Sequence, residues 1–339
     1  MIKTTAVKLA GFERLMVTWD IGRRCNYDCT YCEASRHDLK SPLHTYEELL
    51  ETFKFVREYT EIYSDLVNIN FTGGEPTVNP AFWKLAEYIN NNETRFRLSL
   101  TTNGAWHPKN TKRISELFDG ITVSYHAEAD PVLKKQVIEN IKLLGKTDLW
   151  FQVNVMMHVD YFDECVNLCN ELKELGINHN PRPIGDGIVE RKGWFIDSDG
   201  SNRRTSHDYS DEQKQWYFNY LGVTEPKEGR NCCGGRCMQG KVNGEWQDVN
   251  FIDTNFKGWY CTVNKYFLHI DQHTGNVYHH QTCQALHDGL RGPIGNLNNI
   301  DKILEYAKSN FNKTIVCPNN RCGCGMCVPK AIDIQDLSY

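Results

Sequence analysis

The chain has 339 residues, 40% of them hydrophobic and 24% charged, with a net charge of -5. That is enough for one large domain plus a smaller one, and the acidic balance offers no basic coat for nucleic acid. No apolar run reaches the roughly 18 residues of a membrane span, and the opening MIKTTAVKLAGFERLMV is too polar for a secretory signal, so a cytoplasmic protein without a membrane partner is expected.

Residues 17–21, VTWDI, read as a short buried strand, and a cysteine loop follows it. Residues 45–59 read as a helix, with Thr45 and Glu48 spaced as a capping box. LVNINF is the next strand, followed by TGGEP and a helix over 79–90. FRLSLTT, GITVSY, LWFQVNVMM and INHNPRPI read as further strands, with helices over 109–118, 131–144 and 160–175 between them. Short apolar strands alternating with helical periods indicate repeated βα units around a parallel sheet. Six such units fall short of the eight in a closed barrel, which predicts an open, partial (β/α)6 barrel within the α/β class.

The pattern changes after Gly185. Residues 186–230 read as a linker or substrate entrance containing one helix, near DEQKQWYFNYL, with Ser210 as its cap. Trp194, Arg203, Arg204 and Trp216 are substrate-contact candidates there, beside the plainer reading of a solvated linker. Residues 231–339 form a small cysteine-rich α+β region, with a hairpin around HTGN and a helix over 299–310. The expected organisation is therefore 1–185, 186–230 and 231–339.

Fourteen cysteines in a chain with no secretory signal point to metal ligands rather than disulfides. Cys165 and Cys169 are the exception, because their i,i+4 spacing on an apolar helix face reads as core. Cys25, Cys29 and Cys32 follow the first strand as C-x3-C-x2-C. A [4Fe–4S] cube normally takes four thiolates, and three leave one iron open to an outside ligand. The competing readings are ordinary core cysteines or a zinc site completed by a distant residue such as His37. Nine more cysteines lie between 232 and 327 among glycines.

The C-x3-C-x2-C loop has an aromatic, Tyr31, just before its last cysteine, and FTGGEP follows the next strand. Together these resemble the radical S-adenosylmethionine (SAM) superfamily over roughly residues 15–185. The resemblance implies that Cys25, Cys29 and Cys32 bind a [4Fe–4S] cluster whose open iron is chelated by SAM. Electron transfer from the reduced cluster then yields a 5′-deoxyadenosyl radical that abstracts a substrate hydrogen. It also implies that Tyr31 contacts the adenine, and that Gly73, Gly74 and Glu75 line the methionine amine with Pro76 stiffening the turn. Asn103, Ser124 and Asn154 are expected as cofactor contacts at strand ends, with turn or strand polar residues as the alternative. His126 is expected to donate a proton or hydrogen bond to substrate or cofactor, with a structural histidine as the alternative. His158 is a similar candidate.

The C-terminal cysteines resemble the SPASM and twitch extensions that carry auxiliary iron–sulfur clusters. Cys261 and Gly275 match the SPASM opening, but His280 stands where the next cysteine belongs, and the closing C-x4-C-x-C-x2-C group also departs. The twitch pattern fits Cys261, Cys283, Cys324 and Cys327. That leaves Cys232, Cys233, Cys237, Cys317 and Cys322 for a second cluster, with Cys232 the odd thiol out. One or two auxiliary [4Fe–4S] clusters are expected, the ligand count favouring two; zinc is the competing metal, and the resemblance favours iron–sulfur. His280 as a ligand would raise a cluster's potential.

Fully ligated auxiliary clusters favour electron transfer, and hence substrate oxidation or crosslinking, without excluding epimerisation. The expected substrate is a ribosomal peptide or protein, the alternative a small metabolite such as an amino sugar, nucleoside or amino acid. A flavodoxin or ferredoxin is the expected electron donor. Because the first strand is read at residue 17, no peptide-recognition domain is expected in front of it, and a separate recognition protein would replace it. The non-enzymatic alternative is an electron carrier or binding protein.

Overall fold

The computed structural model describes residues 4–9, 14–32, 37–63, 66–184, 208–221, 238–248, 255–279, 293–310, 313–317 and 328–337. Along the chain these form β1 (Thr4–Leu9), β2 (Leu15–Asp20), α1 (Tyr46–Glu61), β3 (Val67–Thr72), α2 (Pro80–Asn92), β4 (Phe96–Thr102), α3 (Thr111–Leu117) and β5 (Gly120–His126). There follow α4 (Pro131–Leu144), β6 (Phe151–Met157), α5 (Phe162–Glu174), β7 (His179–Pro183) and α6 (Asp211–Leu221). The remainder is β8 (Met238–Val242), β9 (Glu245–Asp248), β10 (Tyr260–Cys261), α7 (Val263–Tyr266), β11 (Phe267–Asp271), β12 (Asn276–Tyr278), β13 (Gly295–Asn296), α8 (Ile300–Asn310), β14 (Ile315–Val316) and β15 (Lys330–Ala331). Two compact units emerge, one of Asp20–Leu50 with Asn70–Pro226, the other of Met1–Trp19, Glu51–Ile69 and Lys227–Tyr339.

The first unit carries the βα series. Strands β4, β5, β6 and β7 pair in parallel in sequence order. The ends of β2 and β3 are joined by the Ile21 amide donating to Thr72 O at 2.8 Å. Asn70 Oδ1 at the end of β3 accepts from Ser99 and Thr101 on β4. This is the expected α/β fold with a partial barrel. The helices start where local chemistry predicts. Thr45 Oγ1 accepts from the Glu48 amide and Glu48 accepts from the Thr45 amide, a reciprocal capping box. Ser210 and Gln213 make the same exchange ahead of α6.

The strands are not uniformly apolar. In β6, Phe151, Val153, Val155 and Met157 are buried while Gln152, Asn154 and Met156 are only half-buried. The same alternation runs through β4 and β5. The helices bury the complementary stripes, Phe82, Leu85 and Ile89 on α2, Val137, Ile141 and Leu144 on α4, and Phe162, Cys165, Leu168, Cys169 and Leu172 on α5. Each such side chain contributes roughly 1.5–3 kcal/mol on full burial, and a one-residue slip would drive Gln152 and Asn154 into that core, so the register is fixed. Cys165 and Cys169 are fully buried here, as expected. The other face of the sheet carries a polar row, Asn70, Ser99, Thr101, Thr122, Ser124, Gln152 and Asn154.

In the second unit a six-stranded sheet has the order β14-β10-β15-β1-β8-β9. Its strand β1 lies ahead of the first strand read in the sequence, and pairs antiparallel with β8 and β15. The hairpin around HTGN forms between β11 and β12, with Ile270 opposite Val277. Its turn needs Gly275, which has φ +72°. Most of 186–230 lies outside the described residues, including Trp194, Arg203 and Arg204.

Candidate active site

The cysteine loop leaves β2 and is held at its start by the Cys25 amide donating to Asp38 O at 2.9 Å. Within the loop the Cys32 amide donates to Cys29 O, and the Tyr27 amide lies 3.4 Å from Cys25 Sγ. Cys29 is buried, Cys25 and Cys32 half-buried, and none is in a disulfide. Burial is the main reason the Cys25 thiol is pushed up to about 12 and the Cys29 thiol further. Charge on Cys32 pushes both in the same direction. Among the described residues, no three His, Cys, Asp or Glu side chains converge tightly enough for a single metal ion.

The TGGEP turn packs on the backbone that leads into this loop. The Gly74 amide donates to Gly22 O at 2.7 Å and the Glu75 amide to Arg24 O at 2.8 Å. A Cβ on Gly74 would lie 2.4 Å from both Arg23 O and Arg24 O, and one on Gly73 2.6 Å from Gly22 O. Gly73 also has φ +125°. In this structure the two glycines are therefore required for a backbone-to-backbone contact.

Glu75 is 2% exposed, and its carboxylate accepts four hydrogen bonds. Oε1 accepts from the Thr77 amide (3.0 Å), Thr77 Oγ1 (2.6 Å) and Thr102 Oγ1 (2.8 Å), while Oε2 accepts from the Asn103 amide (2.7 Å). Burial raises its pKa, opposed by the bonds from Thr77, Asn103 and Thr102. Glu75 thus clamps TGGEP to the end of β4. Replacing it with alanine strands several buried donors and is expected to cost about 3 kcal/mol or more, measurable by chemical denaturation. A loss under about 1 kcal/mol would show that the clamp is dispensable.

Asn103 closes the circuit to the cysteines. Its Nδ2 donates to Asn26 Oδ1 at 2.7 Å and lies 3.9 Å from Cys25 Sγ, while Oδ1 accepts from the Ala105 amide. It is at once a turn residue and a support of the loop. Ser124 on β5 sits beside Asn154 on β6, which sits beside Asn180 on β7, all in register on the polar row. Gln152 Nε2 donates to Asn154 Oδ1 at 2.9 Å.

His126 ends β5 directly against the loop. Its Nδ1 is 2.5 Å from Tyr31 Oη and 3.5 Å from Cys29 Sγ, and its ring stacks on Tyr31 at 5.8 Å. Burial pushes its pKa down to about 4, so the imidazole is neutral. His158 is also buried, with Nδ1 accepting from the Asp160 amide and Nε2 3.7 Å from Glu128 Oε2. Glu128 was not singled out by the sequence. It accepts from the Thr30 amide and hydroxyl at 2.9 and 2.8 Å. The one signal for it in the sequence is an acid two residues past His126, too common a pattern to select it.

Of the C-terminal candidates, Cys233, Cys237, Cys283, Cys322, Cys324 and Cys327, together with Cys232 and His280, lie outside the described residues. Cys261 and Cys317 are described and buried. Cys261 stands opposite Ile315 in the β10–β14 ladder, and Cys317, two residues on, bonds through its amide to Trp259 O.

The profile of the Radical SAM superfamily matches residues 19–189, just over half of the 339. The chain belongs to the radical SAM superfamily. Curated relatives include the GTP 3',8-cyclase of Staphylococcus epidermidis (strain ATCC 35984), 33% identical over 125 residues, which are 35% of this chain and 36% of that protein. The enzyme of the same name from Haemophilus ducreyi is 31% identical over 80 residues, 24% of this chain and 23% of that one. The chain thus spans only about a quarter to a third of these relatives. Similar solved structures include anSMEcpe with bound AdoMet, at 16% identity and a TM-score of 0.49, covering 88% of this chain and 82% of that one. Streptococcus suis SuiB bound to its precursor peptide SuiA has 12% identity and a TM-score of 0.48, covering 88% and 67%.

Radical SAM membership implies a [4Fe–4S] cluster and SAM, and the residues fit the cluster. The loop offers three thiols within eight residues, none in a disulfide, with backbone bonds holding it at Cys25 and Cys32. No helix among the described residues is long and apolar enough to cross a membrane.

Proposed function

We propose that this chain is a radical SAM oxidoreductase that abstracts a hydrogen from a ribosomal peptide or protein. Support for the site comes foremost from one observation. Asn103 bonds both to the cysteine loop, through Asn26, and to the GGE turn, through Glu75. Cys25, Cys29 and Cys32 would hold the cluster, which when bound supplies the electron that cleaves SAM. Tyr31 would offer its ring to the adenine, oriented by His126. The main chain at Gly73 and Gly74 would line the methionine amine. Glu75 and Pro76 would fix that turn, Glu75 acting through Asn103 rather than by direct contact, because its oxygens already hold four donors. Ser124 and Asn154 would hydrogen-bond the cofactor's polar edge. His126 would order Tyr31 and Cys29 and so act at the cofactor end of the site.

The C-terminal cysteines would hold auxiliary clusters that take up the electron left after hydrogen abstraction. Cys261 ends β10 and Cys317 directly follows its partner β14, which suits them to neighbouring or common ligation. Cys233, Cys237, Cys283, Cys322, Cys324 and Cys327 would complete the set. A flavodoxin or ferredoxin would supply electrons, and a separate recognition protein would present the peptide.

A second reading, oxidation or epimerisation of a small polar metabolite, draws support from the hydroxyl and carboxamide row on β4–β6, which suits a neutral hydrogen-bonding substrate. The experiment is anaerobic incubation of the reconstituted protein with SAM, dithionite and either a precursor peptide encoded beside its gene or a nucleoside and amino-sugar panel. Mass spectrometry against the Cys32→Ala protein reads the outcome. Loss of two hydrogens from the peptide, in the wild type alone, is expected. Modification of a small metabolite instead would overturn the peptide reading.

A further inference from the structure

The stretch between Cys29 and Cys32 has to hold two ligand sulfurs at a fixed separation. The start of the loop is anchored at Cys25 and Asn26. Its second half is held from the segment just past β5. There Glu128 takes both the amide and the hydroxyl of Thr30, the residue directly after Cys29. A two-point bond that includes a main-chain amide fixes backbone, whereas a bond to the hydroxyl alone would fix only a rotamer.

Glu128 is itself well placed. The turn carrying it is closed by the Ala129 amide donating to His126 O at 3.1 Å. The carboxylate is backed by His158, and the two side chains are only 12% and 8% exposed. His126, two residues earlier, meets Tyr31 in the same half-loop.

We propose that Glu128 is a positioning residue for the cluster loop, holding Thr30 and with it Cys29 and Cys32 against the end of β5. The inference rests on the reading of Cys25, Cys29 and Cys32 as cluster ligands. It has two separable consequences. The bonds to Thr30 set how firmly the cluster is retained. The negative charge beside Cys29 disfavours adding an electron, and so lowers the cluster's reduction potential.

The test uses the full-length, anaerobically loaded protein and follows the part of the reduced cluster's paramagnetic resonance signal that changes on adding SAM. In Glu128→Ala, a chelator should remove that signal about tenfold faster than in wild type. Adding Thr30→Val to Glu128→Ala should make no further difference, because both changes break the same contact. Glu128→Gln keeps an acceptor for the Thr30 amide. It should retain the signal as wild type does while shifting the potential to a more positive value. A wild-type removal rate in Glu128→Ala, additive effects in the double variant, or an unmoved potential in Glu128→Gln would each overturn the inference. Cys29→Ala separates the two levels. If it keeps the SAM-responsive signal, the ligand reading itself fails. If it loses the signal while Glu128→Ala behaves as wild type, the ligand reading stands and only the role of Glu128 fails.

Discussion

Cys32→Ala is expected to reduce the yield of 5′-deoxyadenosine from SAM and dithionite to the level seen without protein, while leaving the protein folded. Three thiolates are the fewest that bind three irons of a cube and leave the fourth for SAM, so two cannot substitute. The fold should survive because Cys32 is half-buried and its ordering contact, to Cys29 O, is made by the backbone. Cys165→Ala supplies the contrast. Cys165 is fully buried on α5, so its loss should cost about 1 kcal/mol of stability and spare radical formation. Radical yield measured beside a denaturation curve separates the two roles. Wild-type yield from Cys32→Ala would remove that cysteine from the ligand set.

Gly74→Ala is expected to be the most damaging single methyl group in the barrel unit. The added Cβ meets two main-chain oxygens, Arg23 O and Arg24 O, at 2.4 Å. Neither oxygen can swing away as a flexible side chain would. The bonds from the Gly74 and Glu75 amides to Gly22 O and Arg24 O fix the two backbones together. Relief requires moving residues 22–24, and Cys25 moves with them. A loss of roughly 3 kcal/mol is expected from overpacking, with SAM-dependent chemistry lost alongside it. Gly176→Ala is the internal control. It sits at positive φ (+68°), which Gly74 does not, and an added methyl there would meet nothing within 4 Å. It should therefore show only the backbone penalty of about 1 kcal/mol. A loss at Gly74 no larger than that at Gly176 would mean that the contact with 22–24 does not explain the glycine.

The repeating βα order was legible because it depends on local patterning. FRLSLTT and residues 131–144 coincide with β4 and α4 residue for residue. The alternation inside the strands is a subtler mark, masked by their high apolar content. Gln152 and Asn154 among valines indicate a strand with one dry face and one polar face. Strand β1 was not legible because its partners, β8 and β15, lie more than two hundred residues away, where no local signal reaches. At the site, the motif residues were legible because their spacing is short. The ties between motifs were not. Glu75 to Asn103, Asn103 to Asn26 and Glu128 to Thr30 are pairings across loops that only folding brings together. For Gly73 and Gly74 the family resemblance suggested approach to a ligand, and the fold adds a close approach to the backbone of residues 21–24.

The central claim is that Cys25, Cys29 and Cys32 bind a cluster whose remaining iron is taken by SAM. The most direct measurement is electron–nuclear double resonance on the reduced, iron-loaded protein mixed with SAM isotopically labelled at its amine and carboxylate. The account predicts hyperfine coupling of the cluster to both labelled groups in the wild type and its disappearance in Cys32→Ala. An iron-loaded wild-type protein that binds SAM but shows no coupling to either group would contradict it.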